Sequence, residues 1–299
     1  MMQTNLFPEL EMPAYSRITN VASVPQLSPF RYPGGKTWLI PQIRLWLATR
    51  PEKPSELIEP FAGGGIVSLT VAFERLTAER VTMIEKDDQV SVVWQTILSG
   101  SNRNLANRIR DFNLTIETVQ EELAKTDGTQ EERAFQTILR NRVAHGGILA
   151  PGGGLIKNGE NGKGISSRWY PLTLQRRILA IGRVAERIHF IHGDGFAVMN
   201  ENANRPDAVY FIDPPYTAAE KRAGKRLYAH NELDHEALFE LAATLKGDFL
   251  MTYDNAEGVE ALARRHDFDT QTIAMKNTHH AEMTELLIGR NLDWIRGYL

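Results

Sequence analysis

The chain has no cysteine among its 299 residues. Disulfides, thiolate metal sites, iron-sulfur clusters and a cysteine nucleophile are therefore excluded. Long apolar runs are missing too: stretches such as Ala208 to Ile212 and Phe249 to Met251 fall far short of the roughly 18 residues a membrane span needs. No transmembrane segment is expected. Residues 1–27 mix Pro8, Pro13 and Pro25 with acidic and polar residues, and lack the basic start and apolar block of a secretory signal. They read as a loose N-terminal arm on a cytoplasmic protein.

A strong excess of either charge is also absent, with 34 basic residues against 37 acidic ones and a net charge of -3. The distribution is nevertheless uneven. Between Arg133 and Arg187 the basic residues are Arg133, Arg140, Arg142, Lys157, Lys163, Arg168, Arg176, Arg177, Arg183 and Arg187, against only Glu160 and Glu186. That local net of +8 leaves -11 for the remainder, so a basic module is embedded in an acidic chain.

The segment Leu57 to Pro60, followed by Phe61-Ala62-Gly63-Gly64-Gly65, predicts a short strand, a glycine turn and a helix starting near Ile66. Val81 to Ile84 predicts a second strand, which ends on the acids Glu85, Asp87 and Asp88. Strand, glycine turn, helix and acid-tipped strand form the first half of an open α/β nucleotide-binding sheet, with the ligand at the strand ends. From about 92 to 142 the spacing of Trp94, Ile97, Leu98, Leu105 and Ile109 is helical. A stretch rich in glycine, 146–164, contains the hairpin-prone pairs Asn158-Gly159 and Asn161-Gly162. Helix is expected again from about 172 to 188. Strands then return at His189 to His192, Ala208 to Ile212 and Phe249 to Tyr253, with a helix over Asp234 to Leu245.

Asp213-Pro214-Pro215-Tyr216 directly follows the apolar strand 208–212 and is the most informative tetrapeptide in the chain. Two prolines stiffen the turn and supply no N–H, so the Pro214 carbonyl and the Asp213 carboxylate are acceptors for an exocyclic amine. Tyr216 offers a face on which a base stacks. Such chemistry requires the base to leave the helix. The turn Phe61-x-Gly63-x-Gly65, with Ala62 between, gives the backbone room to approach a cofactor, and Glu85 is a candidate acceptor for ribose hydroxyls. Arg31 to Thr37 superficially resembles a phosphate-binding loop, but Phe30 stands where that motif needs a glycine.

In this order, the motifs resemble the Dam-like family of adenine-N6 DNA methyltransferases. The resemblance rests on Tyr32 to Lys36, Glu59 to Gly65, Glu85, Gly193-Asp194-Gly195-Phe196 and Asp213 to Tyr216, and spans about residues 28–255 with Glu282 to Arg290. It implies a Rossmann-like α/β methyltransferase sheet over 28–100 and 190–299, interrupted by a mainly helical DNA-recognition subdomain over 101–189. It further implies S-adenosylmethionine as methyl donor. The implied cofactor residues are Tyr32, Lys36, Glu59, Phe61, Ala62, Gly63, Gly65, Glu85, Asp194 and Asp213. The implied catalytic residues are Asp213, Pro214, Pro215 and Tyr216. Gly195 departs from the family, which often reads Gly-Asp-Phe directly, and puts the role of Phe196 in question.

The basic insertion then acquires double-stranded DNA as its partner, through Arg140, Arg142, Lys157, Asn158, Lys163 and Arg168. Lys221 and Arg222, with Lys225 and Arg226, follow the catalytic turn and are expected to clamp the target strand. Asp at position 213 favours adenine over cytosine N4, where Ser is usual, and over protein glutamine, where Asn is usual. The lack of cysteine excludes transfer to cytosine C5 through a thiolate. An RNA adenine methyltransferase and a catalytically inactive DNA-binding relative are the rival readings, and the sequence leaves open a companion restriction endonuclease. No metal is expected, because His189, His192, His279 and His280 have no ligand-spaced partners. Trp38, Trp94 and Trp169 read as packing residues.

Overall fold

The computed structural model describes residues 21–31, 34–147, 149, 154–156, 159, 162–215, 233–276 and 282–297. Its centre is a seven-stranded sheet of order β3-β2-β1-β4-β5-β7-β6, formed by β1 (Glu56–Glu59), β2 (Arg80–Glu85), β3 (Ile188–His192), β4 (Ala208–Ile212), β5 (Asp248–Asp254), β6 (Asp269–Lys276) and β7 (Glu282–Gly289). The first five strands run parallel and β7 runs antiparallel to both β5 and β6. This is a Rossmann-like α/β fold, as expected. The chain moves outward from β1 to β2 and β3, then returns to place β4 on the other side of β1. That reversal opens a crevice beyond the carboxyl ends of β1 and β4, the place where open α/β sheets bind ligands.

Both faces of the central strands β4 and β5 are buried, which explains why these strands are near-continuously apolar rather than alternating. Successive side chains point to opposite faces. Leu57, Val209 and Phe211 join the core that includes Val67 and Trp94, whereas Ile58, Tyr210 and Ile212 join the core of Val198, Leu238 and Phe239. The first face is covered by α1 (Ile40–Ala48), α2 (Ile66–Glu74) and α3 (Asp88–Leu98).

Between β2 and β3 the chain continues from α3 through α4 (Asn102–Asp111), α5 (Ile116–Leu123), α6 (Gln130–Val143) and α7 (Pro171–Gly182). Ile109, Ile138, Ile178 and Ile181 are completely buried in the same core as Val93 and Ile97 of α3. The inserted helices are thus seated on the sheet domain through shared apolar surface. Thr115 and Thr129 start α5 and α6 with reciprocal side-chain and backbone bonds, which satisfy otherwise orphaned N–H groups.

The helix expected to about 188 stops at Gly182. Arg183 N–H and Val184 N–H donate to the carbonyls of Ala180 and Ile181, tightening the last turn, and Ile188 already pairs with Val81 in the sheet. Strand pairing therefore claims residues that a periodicity reading assigns to the helix. In the glycine-rich stretch, Leu155 bridges antiparallel to Ala144, and Ile156 N–H donates to the Val143 carbonyl at 2.8 Å. The Asn158-Gly159 and Asn161-Gly162 turns fall partly outside the described residues. The remaining helices, α8 (Gly195–Asn202), α9 (His235–Thr244), α10 (Glu257–Arg265) and α11 (Asp293–Arg296), follow β3, β4, β5 and β7 in chain order. No helix among the described residues is long and apolar enough to cross a membrane.

Candidate active site

The carboxyl ends of β1, β2 and β4 open onto one cavity of about 1090 Å³. Glu59 ends β1, Glu85 ends β2 and Asp213 immediately follows β4, so the parallel register delivers three acids to its floor. Glu285, from β7, is a fourth. The cation among them is Lys36, which is only 2% exposed. Its Nζ lies 3.0 Å from Asp213 Oδ1 and 3.5 Å from Glu285 Oε2, and donates to the Gly34 carbonyl at 2.9 Å.

Thr252, on β5, also donates to Asp213 Oδ1, at 2.8 Å. An ammonium and a hydroxyl on one oxygen fix the carboxylate's orientation. Both of these contacts fall on Oδ1, which leaves Oδ2 as an acceptor for an incoming group. Pro214 and Pro215 line the same cavity.

Burial first, and neighbouring charges second, raise the acids of the floor. Burial pushes Glu59 up to about 8, against hydrogen bonds from Ser68, and the charges of Asp213 and Glu85 push the same way. Burial likewise brings Glu285 to about 7, opposed by Lys36 and reinforced by Asp213 and Asp254. Glu85 also rises to about 7 through burial, although backbone N–H groups of Gly63, Lys86 and Asp87 each donate to it at 2.8 Å. Those three bonds hold the carboxylate rigid, and a carboxylate's roughly four acceptor positions still leave one for a hydroxyl.

The glycine turn is built from inside the protein. Gly63 and Gly65 have φ of 47° and 63°, in the left-handed region that favours glycine. A Cβ on Gly65 would stand 2.6 Å from Met83 Cε and 3.0 Å from Trp94. Trp94 is fully buried and donates from its indole nitrogen to the Gly63 carbonyl at 2.9 Å. Gly65 therefore answers to packing beneath the turn as well as to approach from above. Trp38 and Trp169 are also buried packing residues.

Asp194 caps α8 by accepting from Phe196 N–H at 2.8 Å, and its other oxygen lies 3.1 Å from Lys86 Nζ. Burial alone would raise its pKa, but Lys86 and the Phe196 N–H outweigh that and hold it below the usual carboxylate range. Gly195 has a plain physical reason: a Cβ there would lie 2.4 Å from the Pro60 carbonyl oxygen. The close approach brings Phe196 edge-to-face with Phe61, ring centroids 6.3 Å apart, at the cavity lining.

Of the other expected site residues, Lys36, Phe61, Ala62, Gly63 and Gly65 all line the cavity. Arg142 and Arg168 line it as well, whereas Arg140 and Lys163 do not. Arg140 donates to Gln89 Oε1 at 2.8 Å, and Lys163 is exposed ahead of the short helix Gly164–Arg168. Tyr32, Lys157, Asn158, Tyr216, Lys221 and Arg222 lie outside the described residues.

Sequence reasoning missed Glu285, Thr252, Arg31, Arg177 and Tyr170. Glu285 had a usable signal, a lone acid beside the apolar run Leu286-Leu287-Ile288. Arg177 had one too, because it shares a helical face with the buried Leu174, Ile178 and Ile181 while its neighbour Arg176 is exposed.

Residues 32–144 match the family model described as D12 class N6 adenine-specific DNA methyltransferase. The match covers the Lys36 loop, the glycine turn and the acid of β2, and it bears out the resemblance read from those motifs. Together, fold and match support a methyltransferase, a class for which S-adenosylmethionine is the implied methyl donor.

Among solved structures, the chain resembles a methyltransferase from Geobacter sulfurreducens at 15% identity, covering 88% of this chain and 81% of that one with a TM-score of 0.38. It also resembles the rRNA methyltransferase aviRa from Streptomyces viridochromogenes at 13% identity, covering 87% of each chain with a TM-score of 0.39. Scores this low carry no argument about substrate. No curated protein matches the sequence.

Proposed function

We propose that this protein transfers a methyl group from S-adenosylmethionine to the N6 amine of adenine in double-stranded DNA, acting on a base turned out of the helix. The observation that carries the reading is Asp213, locked through Oδ1 by Lys36 and Thr252 and followed by two prolines at the cavity. An acceptor held in this way suits an amine whose lone pair must be turned toward an electrophile.

The residues of the floor fit the cofactor. Glu59, Glu85, Asp213 and Glu285 outnumber Lys36, and their crowding is relieved by a ligand that carries positive charge. Glu85 would take a ribose hydroxyl, and the Phe61–Phe196 pair would flank a purine ring. When bound, S-adenosylmethionine supplies a methyl group on a sulfonium, which is already an excellent leaving group. No covalent enzyme intermediate is required.

The protein's part is mainly orientation. Asp213 and the Pro214 carbonyl hold the amine's hydrogens so that its nitrogen faces the methyl carbon, and fixing two reactants in this way is worth about 7–11 kcal/mol. Asp213 acts as an orienting acceptor rather than as a strong base, because the neutral amine attacks first and loses its proton afterwards. The cavity's mouth excludes bulk water once a base fills it, which strengthens the hydrogen bonds within.

The test is transfer of labelled methyl groups from S-adenosylmethionine to duplex DNA and, separately, to RNA, followed by nucleoside analysis. Label in N6-methyl-2′-deoxyadenosine supports the reading. Label confined to RNA adenosine, or to another base, rejects it.

A further inference from the structure

Four arginines from four segments of the chain meet at the lining of the same cavity: Arg31, Arg142, Arg168 and Arg177. Arg142 comes from α6, Arg177 from α7, Arg168 from the short helix Gly164–Arg168, and Arg31 from the segment before the Lys36 loop. The guanidinium groups of Arg142 and Arg177 are held by backbone carbonyls. Arg142 donates to the Pro29 carbonyl and Arg177 to the Ser28 carbonyl at 2.9 Å. Asn141 fixes Arg31 from both sides, accepting from its N–H at 2.8 Å and donating to its carbonyl at 2.9 Å.

Cations crowded in this way ordinarily carry carboxylate partners. Among the described residues Arg31, Arg142 and Arg177 form no ion pair with one, and Arg142 is 4% exposed with its Nε buried and without a hydrogen-bond partner. Burial first, then the charges of Arg177, Arg31 and Arg168, pull Arg142 down to about 9. Arg31 is lowered by burial and by Arg168.

Two neighbouring features point to what belongs there. The N-terminus of the twelve-residue helix α7 opens on the cavity through Thr173 and Leu174, with no acidic residue in its first turn, so its dipole adds positive potential. Just before that helix, Tyr170 stands 49% exposed at the lining. A cluster of guanidinium groups beside a helix N-terminus suits a phosphate, and an exposed aromatic beside it suits a sugar or base.

We propose that this arginine wall binds a backbone phosphate of the substrate strand, with the adjoining nucleotide resting against Tyr170. The strand's identity rests on the DNA reading above; the anion site does not. The wall would anchor the strand next to the nucleotide whose base enters the cavity, making Arg168 and Arg177 determinants of substrate binding rather than of methyl transfer. It also gives Arg31 and the segment 28–31 a role in substrate binding.

The test uses the full chain and two variants, Arg168→Gln and Arg177→Gln, with Arg177→Lys as a charge-retaining control. In the first arm, millimolar inorganic phosphate is compared with chloride at matched ionic strength in thermal melts. Phosphate is expected to raise the melting temperature of the wild type and to lose that effect in both Gln variants, with partial recovery in the Lys variant. In the second arm, each Gln variant should raise KM for DNA about tenfold with kcat little changed, the scale of one charge-assisted contact. It should also lower the slope of log affinity against log salt by about one.

No phosphate effect in the wild type, or equal effects in all variants with unchanged KM and salt slope, overturns the arginine site while leaving any DNA methylation standing. A phosphate effect that depends on Arg168 and Arg177, in a protein that methylates no DNA, removes the DNA reading and keeps the anion site.

Discussion

The strand-end floor of the cavity and its arginine wall face the same space with opposite charge. The floor gathers Glu59, Glu85, Asp213 and Glu285 around the buried Lys36. The wall gathers Arg31, Arg142, Arg168 and Arg177, with Arg142 and Arg177 donating to backbone carbonyls. Each leaves like charges crowded at a cost, which in the proposed reading a cationic cofactor would relieve at the floor and an anionic strand at the wall. The chain's near-neutral total hides this division. Net charge speaks to solubility and long-range attraction, whereas binding is decided by where the charge is held.

The comparison breaks most sharply at Asp213. Asp213→Ala should reduce methyl transfer by at least about 100-fold, the cost of misplacing a reacting group. Its affinity for DNA should stay within about twofold of the wild type, because phosphate contacts carry most of that affinity. Parallel transfer and DNA-binding assays check this. Substantial residual transfer would remove Asp213 from the reaction.

Lys36→Met removes the ammonium that pairs with Asp213 and Glu285. With Glu285 left buried without its ammonium and Asp213 held by Thr252 alone, the variant should lose about 3 kcal/mol of stability in denaturant titrations. The arginine wall's response to phosphate should survive in the fraction that folds.

A smaller effect separates the floor by pH. Glu59 has an ordinary unfolded value near 4.3, and burial raises its folded value to about 8. The folded state therefore holds a proton that the unfolded state has released. Its contribution is fully present below about pH 4.3 and is lost as pH rises through 8. Glu59→Gln should flatten the fall in stability across that window, measured as denaturation midpoints at successive pH values. An unchanged slope would place the titrating group elsewhere.

The smallest expected effect distinguishes cavity arginines from others in the basic insertion. Arg140 donates to Gln89 and does not line the cavity, so Arg140→Ala should change the salt slope of DNA binding by less than about half a unit, against about one for Arg177→Gln. Equal changes would dissolve the distinction between a built wall and a generally basic surface.

Much of the floor was legible in the sequence. Strands β1, β2 and β4 are short apolar runs punctuated by glycine, acid or proline, and local order alone places their ends together once a parallel sheet is assumed. The strand β6 was not legible, because Asp269-Thr270-Gln271-Thr272 reads as a polar connection until β7 is there to pair with it. Nor was the end of α7, where pairing of Ile188 with Val81 overrides the helical pattern. The arginine wall was legible only as a charge excess. Its members stand at 31, 142, 168 and 177, and nothing local separates Arg177 from the exposed Arg176 except the phase of the helix. Gly195 looked like a departure from the family pattern and proved to be a close approach to Pro60 that no neighbouring residue announces.

The central claim, adenine methylation in DNA at this cavity, is tested most directly by expressing the protein in a bacterial host that lacks DNA methylation and mapping modified bases across the genome. The account predicts N6-methyladenine concentrated at one short sequence motif, and none when Asp213→Ala replaces the wild type. A genome without N6-methyladenine, from cells containing folded protein that binds S-adenosylmethionine, would contradict it.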